Sequence, residues 1–207
     1  MTGGGKLHWE QVHEAKEPEQ ASWWQAVPTR SLSLIEASGV THSDPIIDVG
    51  AGASTLVDQL IAAGYRNLTV LDIAGAALKQ VRDRLGEHAQ AIRFVQADVT
   101  TWRAPEDYAL WHDRAVFHFL TDPHDRQAYK ATLAGALRPG GQAIIATFGP
   151  DGPENCSGLD VQRYSAATLR SELGDMFELL ESVDDVHRTP WGAAQPFVSC
   201  RFRRTNL

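Results

Sequence analysis

The stretch Pro45-Ile-Ile-Asp-Val-Gly-Ala-Gly-Ala-Ser-Thr55 decides the fold of this chain. A short apolar strand runs into the carboxylate of Asp48, and a turn with glycines at positions 50 and 52 then opens a helix. Glycine lets the backbone pass close to a ligand, because a Cβ atom at those positions would collide with it. We therefore expect a ligand site where this strand ends.

A second carboxylate, Asp72, ends the next apolar run, Leu68–Asp72. It follows Gly50 by about 20 residues, the distance at which an acidic residue on a second strand binds a ribose diol. The sequence thus predicts a site for a nucleoside-type cofactor at the carboxyl edge of a parallel sheet.

Two details favour S-adenosylmethionine over NAD as that cofactor. A dinucleotide site requires a third glycine so that the pyrophosphate can rest on the helix N-terminus, and this turn continues without one, with Ser54 in its place. Asp48 would repel a pyrophosphate, whereas it would help to hold an ammonium group. S-adenosylmethionine carries such an ammonium and has no phosphate.

Four motifs, in order along the chain, resemble the cofactor motifs of class I (Rossmann-like) S-adenosylmethionine-dependent methyltransferases. They are Asp48–Gly52, Asp72, Gln96–Val99 and Leu137–Gly141. The resemblance covers about residues 44 to 148. It implies a three-layer α/β fold with a Rossmann-like, seven-stranded, mostly parallel sheet and an antiparallel C-terminal hairpin. Residues 44–207 would form the methyltransferase domain, and residues 1–43 an N-terminal helical lid segment.

The same resemblance implies which residues contact the cofactor. Asp72 would bind the ribose hydroxyls, and Ile73 would pack on the adenine. Asp98 would accept a hydrogen bond from the adenine amino group, with a backbone contact from Val99; the alternative for Asp98 is a carboxylate that caps a turn. One of two adjacent tryptophans in the lid segment, taken here as Trp24, would face the cofactor. The glycine turn would contribute Asp48, Gly50, Ala51 and Gly52.

The predicted catalytic residues are His112, Asp113, Arg114 and His118, at the end of the fourth strand. The Asp113-Arg114 pair is similar to an element of thiopurine and tellurite-resistance methyltransferases, and more loosely to one of small lysine methyltransferases that act on elongation factors. His112 or His118 would take the proton of the acceptor. A thiolate or selenide acceptor would need only a nearby cation such as Arg114. The alternatives are an Asp113–Arg114 pair that braces the sheet edge and a core role for His118.

Composition limits the classes of protein to which the chain can belong. At 207 residues it is long enough for one well-cored domain and too short for two comfortable ones. Its 19 basic and 26 acidic residues give a net charge of −7, which argues against a nucleic-acid partner. Two cysteines without metal-type spacing favour a reducing cytoplasm, with neither a disulfide framework nor a metal site. No signal peptide or membrane-length apolar run is found, so we expect no membrane partner.

The pattern of apolar residues predicts alternating strands and helices. We expect residues 1–5 to be frayed and residues 149–162 to form a loop. The predicted helices are Thr29–Ser38, Gly75–Leu85, Asp125–Leu137 and Ser165–Leu173. The predicted strands are Pro45–Asp48, Leu68–Asp72, Ile92–Ala97, Tyr108–Asp113, Gln142–Phe148, Phe177–Val183 and Pro196–Phe202.

The predicted function is transfer of a methyl group from S-adenosyl-L-methionine to a small-molecule acceptor with a thiol, hydroxyl or amine. A protein lysine methyltransferase is the alternative within the enzyme class. A non-catalytic module that keeps the cofactor site is the second alternative, and an NAD-dependent oxidoreductase is the third.

Overall fold

The computed structural model of the protein describes residues 3–15 and 17–205. The helices are α1 (Gly3–Ala15), α2 (Thr29–Ala37), α3 (Leu56–Ala62), α4 (Gly75–Leu85), α5 (Pro123–Ala136) and α6 (Ala166–Leu173). The strands are β1 (Ile46–Val49), β2 (Leu68–Asp72), β3 (Ile92–Gln96), β4 (Tyr108–Arg114), β5 (Leu137–Phe148), β6 (Asn155–Cys156), β7 (Leu159–Asp160), β8 (Phe177–Arg188) and β9 (Ala194–Arg204). No helix within the described ranges is long and apolar enough to cross a membrane.

The main sheet has the strand order β3-β2-β1-β4-β5-β9-β8. Strands β1 to β5 pair in parallel, β9 pairs antiparallel with β5, and β8 pairs antiparallel with β9. The predicted α/β fold, a seven-stranded and mostly parallel sheet with an antiparallel C-terminal hairpin, is confirmed. Because the order reverses at β1 and β4, the carboxyl ends of these two strands open a crevice, the usual place for a ligand in such sheets.

Helices cover both faces of this sheet, which gives three layers. Ile46 and Ile47 are adjacent on β1 and point to opposite faces. Ile46 lies in a hydrophobic cluster with side chains of α2, α3 and α4, whereas Ile47 lies in a cluster with side chains of α5 and α6. Both isoleucines are at most 1% exposed, so the sheet is buried on both sides at its centre.

Helix α5 begins before its predicted start, because its N-cap residue is Asp122. The Asp122 carboxylate accepts a hydrogen bond from the backbone N–H of His124, and Pro123 occupies the first turn, where a missing N–H has no consequence. The helix therefore begins at Pro123 rather than at Asp125. At α6, Ser165 and Thr168 form a capping box, so the predicted start was wrong by one residue.

Four further predictions of local structure were wrong. Residues 3–5 belong to α1, while residues 1 and 2, also expected to be frayed, lie outside the described residues. Strand β5 begins at Leu137, which pairs with β4 ahead of a register shift. Strand β8 continues to Arg188 because it pairs with β9 along its whole length. The predicted loop 149–162 contains a small hairpin of β6 and β7, closed by Ser157 and Gly158, both at positive φ.

The N-terminal helix α1 docks on the start of α4. The Glu10 carboxylate accepts hydrogen bonds from the backbone N–H groups of Gly75 and Ala76, each at 2.9 Å, and from the side-chain amide of Gln96 at 3.0 Å. A carboxylate at this end of a helix is also favoured by the helix dipole. Helix α1 is thereby held over the loop that follows Asp72.

Candidate functional site

Two cavities meet at the carboxyl ends of β1, β2 and β4, where a small ligand would bind in such a sheet. The Asp48 cavity is lined by residues that include Asp48, Ala51, Ser54, Trp24, Ser31 and His112. The Asp72 cavity is lined by residues that include Asp72, Ile73, Ala97, Val99, Val116 and Phe119. Both cavities are lined by His13, Trp23, Gly50 and Arg114, and we call this shared wall the junction.

The glycine turn after β1 forms the floor of the junction. Gly50 and Gly52 have φ angles of 58° and 54°, in the left-handed region that other residues adopt with strain. A Cβ atom on Gly50 would lie 1.9 Å from Cγ2 of Val116, and one on Gly52 would lie 3.3 Å from Cε1 of His13. Both the left-handed backbone conformation of residue 50 and the lack of room for a Cβ atom therefore require glycine at this position.

Asp72 is a buried carboxylate, 5% exposed, at the end of β2. Its oxygens accept hydrogen bonds from the backbone N–H of Gly52 at 2.7 Å and of Ala74 at 2.8 Å. Burial raises the pKa of Asp72 to about 6, although these two hydrogen bonds act in the opposite direction. The carboxylate thus ties the glycine turn to the second strand and forms part of the wall of the Asp72 cavity.

Asp48 and His112 lie side by side on β1 and β4, at paired positions of the sheet. Nδ1 of His112 is 2.6 Å from Oδ1 of Asp48, and Nε2 is 2.9 Å from the hydroxyl oxygen of Ser31 on α2. All three side chains are buried. Both nitrogens of His112 therefore have partners within the protein, which favours a role in orienting Asp48 over proton removal from an acceptor.

Asp113 is completely buried and braces the turn after β4. One oxygen accepts the hydroxyl proton of Tyr129 at 2.6 Å, and the other accepts the backbone N–H of Val116 at 2.9 Å. The hydroxyl oxygen of Tyr129 in turn accepts a hydrogen bond from Nε1 of Trp111 at 2.9 Å. Burial raises the pKa of Asp113 to about 6. Within this turn Ala115 is held at a φ of 70°, a strained conformation for alanine.

Replacing Tyr129 by phenylalanine is expected to lower the free energy of unfolding by about 1–3 kcal/mol, because Asp113 and Trp111 would each lose a buried partner. Urea unfolding at neutral pH measures the change. Tyr65→Phe is the matched control, since Tyr65 is a half-buried residue that contacts His42 and packs on the other hydrophobic cluster. An equal and small effect of both substitutions would contradict the bracing role of Tyr129.

Arg114 lies at the junction and does not pair with Asp113, so the predicted Asp113–Arg114 brace is wrong. Its Nη1 donates a hydrogen bond to the backbone carbonyl of Trp23 at 3.0 Å, and its guanidinium carbon lies 5.0 Å from the centre of the Phe197 ring. Nη2 is buried and has no hydrogen-bond partner among the described residues. Burial lowers the pKa of Arg114 to about 10, so the side chain stays positively charged at neutral pH.

His118 is completely buried and does not line either cavity. Its Nδ1 accepts a hydrogen bond from the backbone N–H of Phe148 at 3.2 Å, and its ring lies between the rings of Phe119 and Phe148. Burial lowers the pKa of His118 to about 3. These contacts favour the core role that the sequence left open, because the ring is completely buried and lines neither cavity.

The other predicted cofactor residues lie at or near the cavities. Ile73 and Val99 line the Asp72 cavity, together with Ala97. Oδ1 of Asp98 accepts hydrogen bonds from the backbone N–H and the hydroxyl of Thr100, which is the turn-capping arrangement named as its alternative. Trp24 lines the Asp48 cavity, whereas its neighbour Trp23 lines both cavities.

The sequence predicted an N-terminal helical lid segment, but it did not predict that Trp9 and His13 of α1 lie at the site. Trp9 and His13, one turn apart on this helix, line the Asp72 cavity, and the Trp9 ring contacts those of Trp23 and Phe119. Burial lowers the pKa of His13 to about 4, so this side chain is neutral at neutral pH. The spacing of Trp9 and His13 by four residues was the signal in the sequence, since such residues share one face of a helix.

Comparison with known proteins agrees with this geometry. A family model described as a methyltransferase domain matches residues 46–141. The malonyl-[acyl-carrier protein] O-methyltransferase of Paenibacillus sp. (strain JDR-2) is 32% identical over 126 residues, 58% of this chain and 45% of that protein. The eEF1A lysine and N-terminal methyltransferase of Bos taurus is 24% identical over 157 residues, 70% of this chain and 22% of that protein. The chain thus spans less than half the length of these curated relatives.

A solved structure shows the same fold over nearly the whole chain. The 1,6-didemethyltoxoflavin-N1-methyltransferase of Burkholderia thailandensis, solved with 1,6-didemethyltoxoflavin and S-adenosylhomocysteine, superposes with a TM-score of 0.75 at 20% identity. The superposition covers 98% of this chain and 89% of that one. Residues 46–141 therefore resemble a methyltransferase domain, and the chain has the Rossmann-like fold of the methyltransferase structure that it matches.

Proposed function

We propose that the chain transfers a methyl group from S-adenosyl-L-methionine to a small-molecule acceptor. The observation that supports this most strongly is the junction, where the Asp48 and Asp72 cavities share Gly50 and Arg114. A ligand with an adenosine at one end and an amino acid at the other would span both cavities. When bound, this cofactor supplies a methyl group on a sulfonium, and the reaction then depends chiefly on alignment and on exclusion of water.

The adenosine is proposed to occupy the Asp72 cavity. Asp72 would bind the ribose hydroxyls, and Ile73 and Val99 would contact the adenine from the cavity wall. Asp98 is proposed to accept a hydrogen bond from the adenine amino group, and its turn places Ala97 and Val99 at that wall.

The amino-acid end is proposed to occupy the Asp48 cavity. Asp48 would attract the ammonium group, held in position by His112. The backbone of Gly50, Ala51 and Gly52 would approach the cofactor closely, as their conformation and lack of bulk favour. Trp24 would cover this end of the ligand.

Arg114 is the one residue of the predicted catalytic set that lines both cavities, and we propose that it contacts the acceptor. The other three are proposed as positioning residues. His112 orients Asp48, Asp113 holds the turn that follows Arg114, and His118 supports β5 through Phe148. No imidazole base is then required, which suits an acceptor that enters the site already deprotonated.

We propose α1 as a lid over the cofactor, within an N-terminal lid segment 1–43 that precedes a methyltransferase domain 44–207. The contacts of Trp9 and His13 with the Asp72 cavity support the lid, as does the attachment of Glu10 to α4. Helix α2 differs, because Leu34 and Ile35 are part of the hydrophobic core. Within the segment 1–43, we therefore propose α1, and not α2, as the part that covers the cofactor.

Cofactor affinity is expected to fall as the pH drops through 6. Asp72 has a pKa raised by burial to about 6, and hydroxyl groups that donate hydrogen bonds to it favour its ionised form. The Kd of S-adenosylhomocysteine should rise about tenfold from pH 7 to pH 5, because binding then requires loss of one proton. Calorimetry at several pH values measures this. Asp113 has a similar pKa but lines neither cavity.

The stability of the ligand-free protein is expected to depend on pH in the opposite direction to cofactor affinity. Because the folded-state pKa of Asp72 lies above the ordinary value of 3.8, this residue stabilises the fold below about pH 4, and the contribution is lost as the pH rises through 6. Asp72→Asn should remove the pH dependence of binding along with much of the affinity. A Kd that stays constant between pH 5 and pH 7 in the wild type would contradict the ribose role of Asp72.

The proposed function is tested by release of S-adenosylhomocysteine from S-adenosylmethionine in the presence of thiols, phenols, amines and lysine-containing proteins. Turnover with a small molecule supports it. Turnover with protein lysines alone favours the protein lysine methyltransferase, an alternative supported by the similarity to the Bos taurus enzyme. Cofactor binding without turnover favours the non-catalytic module. A cytoplasmic location, without nucleic-acid or membrane partners, completes the proposal.

A further inference from the structure

We propose that Arg114 selects an anionic acceptor, namely a small planar molecule whose carboxylate, thiolate or phenolate group pairs with the guanidinium at the junction. This inference rests on the proposed function and names its substrate class.

The first support is an incomplete set of hydrogen bonds on Arg114, a half-buried cation whose Nη2 atom is buried. Nη1 of Arg114 is used by the carbonyl of Trp23, whereas the buried Nη2 has no partner within the described parts of the chain. More than nine in ten buried polar groups in folded proteins are satisfied. An anionic oxygen or sulfur is the strongest acceptor for a guanidinium N–H, because both members of the pair are charged.

The second support is that the neighbouring carboxylates are engaged elsewhere. Asp48 and Asp185 are the carboxylates whose charges act on Arg114. Asp48 contacts His112 at 2.6 Å, and Asp185 pairs with Arg30 at 3.4 Å. Arg114 therefore carries a positive charge at the junction that no direct ion pair with these residues balances.

The third support comes from the charge of the cofactor. A sulfonium close to Arg114 would place two positive charges near each other in a poorly hydrated crevice, where they repel more strongly than in water. An anion that enters the junction attracts both charges. A neutral amine or the side chain of lysine gains nothing from Arg114, so the geometry favours anionic acceptors over lysine.

The shape of the acceptor follows from the aromatic residues beside Arg114. Trp9 lies edge to face with Phe119 at 5.0 Å between ring centres and with Trp23 at 6.0 Å. All three rings line the Asp72 cavity. With the adenosine in this cavity, the acceptor would lie at the junction, beside Trp23 and Arg114, where a flat ring next to a cation suits an aromatic acid or an aromatic thiolate.

The test uses the protein saturated with S-adenosylhomocysteine, with benzoate and the uncharged benzamide as probes. Tryptophan fluorescence reports binding, since Trp9 and Trp23 line the cavity. We expect benzoate to bind at least tenfold more tightly than benzamide, and Arg114→Met to remove this preference while the affinity for S-adenosylhomocysteine changes by less than tenfold. Arg114→Lys should retain part of the preference, which provides a measurement if the methionine variant fails to fold. Lys79→Met, which removes an exposed cation of α4 paired with Asp83, should behave like the wild type.

The other outcomes separate this inference from the proposed function. A tenfold or greater loss of affinity for S-adenosylhomocysteine in the Arg114→Met and Arg114→Lys variants would assign the guanidinium to the cofactor carboxylate and overturn the inference. Equal binding of benzoate and benzamide to the wild type, or binding of neither, would also overturn it while leaving cofactor binding intact. Failure of the wild type to bind S-adenosylhomocysteine would overturn both proposals.

Discussion

Gly50→Ala is expected to lower the free energy of unfolding by about 2–5 kcal/mol, through left-handed strain of about 1–2 kcal/mol and overpacking of about 1–3 kcal/mol. The new Cβ would lie 1.9 Å from Cγ2 of Val116, so the side chain of Val116 or the turn after β4 must move. That turn directly follows Arg114, so a shift of the turn would also disturb the floor of the junction. Binding of S-adenosylhomocysteine should therefore weaken by at least tenfold, as measured by calorimetry together with chemical unfolding.

Two controls separate strain from collision at Gly50. Gly39→Ala introduces a Cβ at a φ of 73° with nothing within 4 Å, so it should show the strain alone and leave cofactor affinity unchanged. The double variant Gly50→Ala/Val116→Ala removes the 1.9 Å overlap and leaves the Cβ of residue 116 at 3.3 Å. It should recover part of the lost stability. Equal stability of Gly50→Ala and Gly39→Ala would show that Val116 yields without cost and would contradict the close packing proposed here.

Asp72→Ala should weaken binding of S-adenosylhomocysteine by about 100-fold or more at pH 8. Hydrogen bonds to a charged group contribute about 1.5–3 kcal/mol each, and a ribose would donate two of them to this carboxylate. A loss of about 3 kcal/mol corresponds to about 100-fold in Kd. The substitution also removes the hydrogen bonds of Asp72 to Gly52 and Ala74, so the shape of the floor changes as well.

Asp72→Asn distinguishes these two effects, because the amide keeps the size of the side chain and loses the charge. Asp83→Ala is the matched surface control, since Asp83 is an exposed residue on α4 that pairs with Lys79. It should bind like the wild type. Wild-type affinity in both Asp72 variants, with an unchanged melting temperature, would remove Asp72 from the ribose site.

The fold was predictable because its signals are local. Apolar runs of strand length indicate the strands of the parallel sheet. The spacing of glycines and carboxylates after β1 and β2 indicates the edge of the sheet at which the crevice opens. The antiparallel C-terminal hairpin followed from the absence of a helix between the last two strands. Most of the residues predicted to bind the cofactor line the two cavities, and their roles remain predictions.

The wrong or missing parts depend on contacts between distant residues. Glu10 meets Gly75 across 65 positions of sequence, and Tyr129 meets Asp113 across 16. Neither contact leaves a periodic trace, so the docking of α1 and the brace of the Ala115 turn were not predicted. His118 shows the same limit: a histidine among apolar residues suits a base or a core side chain, and only burial decides between them.

We propose that the crevice at the carboxyl ends of β1 and β4 receives a phosphate-free adenosine derivative with an amino-acid tail. Isothermal titration of the wild-type protein with S-adenosylhomocysteine and, separately, with NAD tests it most directly. We expect saturable binding of S-adenosylhomocysteine to one site per chain and no detectable binding of NAD at the same concentration. Binding of NAD in preference to S-adenosylhomocysteine, or of neither, would contradict it.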